Sequence, residues 1–141
     1  MTAKTMIKVE NLVGGYGETV ILDRISFEVY EGEILVILGG SGCGKSTLLK
    51  HLIGLLQPFA GRVLVEGENI WEADEKQFSR ILRKFGVLYQ SGGLLGSMTV
   101  AENIALPVLE FTGLPARLLD SLVKMKLNLV DLEGFENHLP A

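Results

Sequence analysis

The chain has 141 residues, 48% hydrophobic and 21% charged. That balance suits a globular domain long enough to bury a core, and it excludes a disordered chain, which needs lower hydrophobicity and higher net charge. Lys and Arg number 13 against 17 Asp and Glu, for a formal charge of −4; binding of nucleic acid through bulk charge is not expected, though a local basic site for phosphate is allowed. The single cysteine, Cys43, rules out an intrachain disulfide and favours a reducing compartment.

In chain order, the N-terminus carries no signal-peptide pattern, and the longest apolar runs are far too short to span a bilayer. Any work at a membrane would therefore pass through a partner. Ile7, Val9 and Leu12, set against Lys8 and Glu10, predict a half-buried strand. Residues 13–17 hold three glycines and predict a loop. Residues 20–22 and 25–29 predict two further strands, with Ile25, Phe27 and Val29 sharing a face. After a turn at 31–33, Ile34, Leu35, Val36, Ile37 and Leu38 are apolar on both faces, the pattern of a central strand in a parallel sheet. Leu48, Leu49, Leu52, Ile53, Leu55 and Leu56 recur at helical spacing until Pro58. Residues 62–65 predict a short strand ended by Glu66 and Gly67. Phe78, Ile81, Leu82 and Phe85 mark an amphipathic helix with Arg80, Arg83 and Lys84 on its wet side. Residues 86–89 predict a buried strand ending at Gln90. Beyond it, 91–97 is a glycine-rich loop, and Thr99 with Glu102 forms a capping box. That box opens a helix that Pro107 should kink. Gly113 breaks the pattern, and Pro115 suits the first turn of a last helix reaching about Val130.

One motif carries chemistry. Gly39, Gly40, Ser41, Gly42, Cys43, Gly44, Lys45 and Ser46 fit G-x-x-x-x-G-K-[ST]. Four fixed positions match by chance in a chain of this length on the order of once in a few hundred. Here the motif also lies between an apolar run and a helical pattern, the setting that confirms it. The glycines let successive N–H groups point at one anion, and the helix directs its positive end there. Lys45 is expected to reach the β- and γ-phosphates of a nucleoside triphosphate. Ser46 is expected to ligate Mg²⁺, and Thr47 to add a hydroxyl at the α-phosphate. Cys43 reads as a filler of the loop, and His51 and His138 as structural.

The chain resembles ATP-binding-cassette ATPases from end to end. Residues 39–49 are similar to their phosphate loop, with Gly40 where proline is usual. Tyr16 matches the aromatic that stacks on adenine. Residues 22–29 resemble "L-x-x-I-S-F-x-V", and 61–67 resemble the "G-x-I-x-x-x-G" hairpin. Gly86, Val87, Leu88, Tyr89 and Gln90 match the strand that ends in the Q-loop glutamine. The resemblance implies an α/β fold: a P-loop NTPase, ABC-type nucleotide-binding domain, in incomplete form. Residues 1–90 would hold an antiparallel β subdomain and part of the RecA-like core, and 91–141 the Q-loop and the start of the helical subdomain. It implies ATP and Mg²⁺ as cofactors, with Ser46 and Gln90 at the metal and Gln90 sensing the attacking water. It implies a transmembrane permease and a second ATP-binding subunit as partners, no nucleic acid, and a cytoplasmic location on the inner face of the bacterial inner membrane. Residues 90–95, 98–107, 112–115 and 125–127 look like the ATPase subunits of MCE-type transporters of phospholipid or other hydrophobic compounds.

Ser91, Gly92 and Gly93 imitate the family signature but follow a predicted strand, whereas a signature must open a helix. By the resemblance, the signature, the strand ending in Asp-Glu and the switch histidine would follow Ala141. Phosphoryl transfer to water needs such an acid and a water-orienting group. The chain is therefore expected to be the N-terminal part of a longer ATPase, inactive alone, and marginally stable or self-associating through an uncovered 34–38 strand. A catalytically silent nucleotide-binding module is the second reading, and another P-loop enzyme, a small nucleotide kinase or GTPase, the third. The kinase reading lacks lid arginines better placed than Arg80, Arg83 and Lys84, and the GTPase reading lacks a guanine-reading Asn-Lys-x-Asp.

Overall fold

A computed structural model describes residues 3–90 and 92–140. The chain forms two compact units, one reaching to Gly86 and one beginning at Val87.

The first unit is built on an antiparallel sheet of order β2-β1-β3-β4. Its strands are β1 (Thr5–Tyr16), β2 (Thr19–Tyr30), β3 (Ala60–Val65) and β4 (Glu68–Asn69). Two helices accompany it, α1 (Lys45–Leu52) and α2 (Glu75–Leu82). Val9, Leu12, Leu22, Val63 and Val65 from the sheet, Leu48 and Leu52 from α1, and Ile70 and Ile81 form one core. Val9 and Leu12 are both buried although three residues apart, a spacing that an unbroken strand would send to opposite faces. The register shifts between them. Asn11, at φ 48°, is the extra residue, and its amide donates to Ser26 Oγ at 2.7 Å, as befits a bulge.

On the polar face of the sheet, Lys8 pairs with Glu10 at 3.1 Å and Glu28 at 3.3 Å, and Arg62 with Glu10 at 2.7 Å. β3 and β4 are joined by Glu66 at φ 49° and Gly67 at φ 85°, the two positive φ angles of the favoured hairpin turn. The Glu66 carboxylate is bonded by Lys4 and by Lys84, which hold its pKa down to about 2. Arg80 pairs with Glu68. α2, through Arg80, and the turn after it, through Lys84, are thus tied to the hairpin by ion pairs.

The second unit packs α3 (Val100–Phe111) on α4 (Ala116–Asn128) around Ala105, Val123 and Leu127. Thr99 and Glu102 make the expected capping box. The next amides, Val100 and Ala101, donate to the carbonyls of His138 at 2.8 Å and Glu136 at 3.0 Å, so the tail closes the start of α3. Asn103 Nδ2 donates to the carbonyls of Leu95, Met98 and Thr99 and fixes the preceding loop. α3 continues past Pro107 to Phe111. No helix among the described residues is long and apolar enough to cross a membrane.

Several elements differ from expectation. Residues 13–16 belong to β1 rather than to a loop, because Gly14, Gly15 and Tyr16 pair with Leu22, Val20 and Thr19. The two strands expected at 20–22 and 25–29 are one, β2, with Arg24 at φ 52° absorbing the irregularity. The helix after the loop ends at Leu52, not Pro58. Gly54 takes φ 74°, and Leu55 and Leu56 turn their amides back to the Lys50 carbonyl, a glycine C-terminal cap. The strand expected at 34–38 does not form: the segment is irregular, with Ile34 90% and Leu38 85% exposed. Residues 86–89 form no strand either; Leu88 is 93% exposed, and Tyr89 makes one isolated bridge to Gly92. Both runs carry the pattern of strands flanked on each edge, and among the described residues no strand lies beside them to supply the ladder hydrogen bonds. Ser91, assigned to the following loop, lies outside the described residues.

The sheet predicts a contrast between two glycines of similar backbone. A Cβ on Gly67 (φ 85°) meets nothing within 4 Å, whereas one on Gly61 (φ 87°) lies 2.4 Å from the Asn11 carbonyl oxygen. Gly67→Ala is expected to cost about 1–2 kcal/mol of left-handed strain. Gly61→Ala should cost clearly more, because the β1 backbone cannot move aside. Urea denaturation of the two variants measures the difference.

Candidate functional site

The loop at 39–44 leads directly into α1. Gly44 is the N-cap residue of α1, left-handed at φ 96°, and no side chain caps the helix. A Cβ there would lie 2.9 Å from Ile21 Cγ2 and 3.0 Å from Leu22 Cδ2, so both the conformation and the close seating on β2 require glycine. By contrast α2 and α3 each carry a complete capping box, from Asp74 and Gln77 and from Thr99 and Glu102. The first turn of α1 also contains no acidic residue. Its leading amides and positive dipole end are left for an anion from outside the chain.

Lys45 Nζ donates to the carbonyls of Gly39 at 2.8 Å and Gly40 at 2.7 Å, with Cys43 Sγ at 3.6 Å. The ammonium thus lies folded across the loop. Ser46 is exposed and Thr47 buried. A triphosphate fits this arrangement, since its oxygens can replace the two carbonyls at Nζ. Among the described residues no cluster of three or more His, Cys, Asp or Glu could hold a metal; the exposed Ser46 hydroxyl is what the loop offers to a Mg²⁺ carried by phosphate oxygens.

Tyr16, 44% exposed, ends β1 beside α1. Its hydroxyl accepts from Lys50 Nζ at 3.0 Å, and the ring centroid lies 5.3 Å from the same nitrogen. Lys50 first and the Thr47 side chain second hold the phenol below its ordinary pKa. His51, the next residue on α1, has no exposed surface. Its Nδ1 lies 2.6 Å from the Leu56 carbonyl, so that nitrogen bears the hydrogen. Nε2 is buried without a partner. A Cβ on Gly14 would come within 2.1 Å of it, so glycine at 14 lets β1 and α1 approach.

The structure therefore sets Lys45 and the loop glycines at the start of α1, and Tyr16 against Lys50 further along the same helix. Gln90, an exposed turn residue, belongs to the second unit. That unit holds a cavity of about 520 Å³ between α3 and α4, and none of its lining residues comes from the loop. Lys50 was not anticipated from the sequence. The available signal was its i,i+3 spacing from Thr47, which puts both on one face of a helix.

A lysine-bearing glycine loop feeding an uncapped helix defines a phosphate-binding-loop protein. The sequence pattern of ABC transporters matches residues 22–140, and the chain belongs to that family. It is 36% identical over 138 residues to the intermembrane phospholipid transport system ATP-binding protein MlaF of Haemophilus influenzae, covering 98% of this chain and 52% of that one. It is 40% identical over 134 residues to the probable ribonucleotide transport ATP-binding protein mkl of Mycobacterium leprae, covering 95% and 39%. The fold matches the dimeric structure of MJ0796, a bacterial ABC transporter cassette, at TM-score 0.85 and 30% identity, over 96% of this chain and 62% of that one. MJ0796 bound to ADP and Pi in a post-hydrolysis state matches at 0.84 and 29%, with the same coverage. The chain thus spans about half the length of the curated relatives it matches, or less.

Burial of His51 sets a pH dependence. Desolvation lowers its pKa from 6.5, outweighing the Leu56 carbonyl that raises it, so the folded state holds the neutral ring and the unfolded state binds the extra proton. Stability is complete above pH 6.5 and is lost as the pH falls through about 6.5 toward the lower folded value. Urea midpoints should therefore drop between pH 7 and 5, and His51→Met should flatten that slope. Loss of the Glu66 pairs acts at lower pH, between its usual 4.5 and about 2.

Proposed function

We propose that this chain is the nucleotide-binding face of an ATP-binding subunit that powers an ABC-type membrane transporter, with phospholipid or another hydrophobic compound as cargo. The observation that carries the reading is the uncapped, glycine-started α1 with Lys45 poised across the loop. In this reading the triphosphate displaces Lys45 Nζ from the Gly39 and Gly40 carbonyls, and the ammonium then neutralises the β- and γ-phosphates. Backbone amides of residues 40–47 line the anion, Cys43 among them, with Ser41 and Gly42 shaping the turn. Thr47 serves the α-phosphate. Mg²⁺, when bound, supplies charge neutralisation at the terminal phosphates, and Ser46 and Gln90 would hold it. Gln90 would also sense the attacking water. Tyr16 would stack on the adenine.

The cargo assignment is supported by 36% identity to a protein named for phospholipid transport and by the resemblance of residues 90–107 to MCE-type subunits. A permease and a second ATP-binding subunit are the partners, the latter supported by the dimeric cassette of similar fold. The subunit would sit on the cytoplasmic face of the inner membrane through that permease.

A catalytically silent nucleotide-binding module makes the same binding prediction. It is favoured by the engagement of two acids of the first unit, Asp74 as a helix cap and Glu66 with two lysines. A small-kinase reading is disfavoured because Arg80 and Lys84 pair with Glu68 and Glu66.

ATP with Mg²⁺ at about 100 times its Kd should stabilise the chain by about 2.7 kcal/mol. Lys45→Ala should remove that stabilisation, with AMP giving little in either chain. Thermal unfolding with each ligand checks this, and stronger stabilisation by GTP than by ATP would sink the reading. Steady-state phosphate release separates an active subunit from a silent one.

A further inference from the structure

Tyr16 stands at the tip of the β1–β2 hairpin, next to the turn at Gly17. An exposed aromatic there would ordinarily sample several rotamers. Here its hydroxyl is gripped from α1, by Lys50 Nζ at 3.0 Å. The ammonium is closer to the hydroxyl than to the ring centroid, 3.0 Å against 5.3 Å. It therefore sits at the hydroxyl edge and does not cover a face of the ring. A cation centred on a face would compete with a stacked base.

We propose that Lys50 is a positioning residue for base recognition: it anchors the Tyr16 ring by its edge and holds a face ready to stack on a purine. The inference rests on the reading of Tyr16 as the base platform. Lys50 follows Lys45 by five residues on the same helix, a rise of about 7.5 Å. One helix thus sets both the phosphate-binding loop and the aromatic platform. The spacing between base and phosphates is recognised by a single rigid element, and the side-chain ordering of Tyr16 is met before the nucleotide arrives. Lys50 is exposed, so its removal disturbs no core packing.

The test uses the 141-residue chain, with Mg²⁺-ATP and Mg²⁺-tripolyphosphate as probes in calorimetric titrations. Lys50→Met keeps the apolar stem and removes the anchor. It is expected to weaken ATP about three- to tenfold while leaving tripolyphosphate affinity unchanged, and Lys50→Arg should restore ATP. Adding Tyr16→Phe to Lys50→Met should cost no more than Lys50→Met alone. Lys50→Met should also move a tyrosine titration, followed by ultraviolet absorbance, upward from its lowered position. Equal weakening of both probes would make Lys50 a phosphate contact and overturn the proposal, as would no weakening of either. Tyr16→Ala separates the two levels. If it weakens ATP while Lys50→Met does not, the platform stands and the anchoring role falls. If Tyr16→Ala leaves ATP affinity intact, the platform reading fails and the anchoring role falls with it.

Discussion

The start of α1 answers two demands that usually conflict. A helix that packs against a sheet gains from a capped N-terminus, because a buried end with unpaired amides is costly. A helix that receives an anion must leave those amides free. Gly44 meets both. Its left-handed backbone begins the helix without a side chain, and its missing Cβ lets the turn press against Ile21 and Leu22. Leu48 and Leu52 then seat α1 in the core. Much of the site follows from that seating: Lys45 over the loop, Thr47 and Lys50 toward Tyr16, and His51 against Gly14.

The antiparallel sheet and the loop were legible in the sequence for different reasons. The loop is spelled by residues whose chemistry is indispensable, so eight positions suffice. The helices at 75–82, 100–111 and 116–128 were visible through periodicity and caps, since Asp74, Thr99 and Pro115 stand where helix starts require them. The bulge at Asn11 was not legible. Nothing in a run of alternating residues announces that one of them will be left unpaired; only the burial of both Val9 and Leu12 reveals it. The glycines at 14 and 15 pointed to a loop on local preference, yet they serve inside a strand because His51 and the Thr19 backbone approach too closely for any side chain.

Residues 34–38 and 86–89 teach the opposite lesson. Their composition states correctly what environment they suit, apolar on every side, but composition cannot supply the neighbours. A strand is a relation between segments. The two helices of the second unit satisfy most of their backbone groups internally, and they form as expected.

The bulge also governs how the hairpin can change length. At Asn11 the in-and-out order of β1 is offset by one residue, which turns Leu12 inward, and two further register shifts between Leu12 and Gly15 precede Tyr16 at Lys50. A single-residue insertion or deletion between Val9 and Leu12 would reverse that order and turn Leu12 out of the core. A change of two residues would keep the facing but move Tyr16 along the strand by nearly 7 Å. The count of residues between the bulge and Tyr16 is therefore as much a part of the site as the side chains, and the hairpin tip beyond Tyr16 is where length is free to vary.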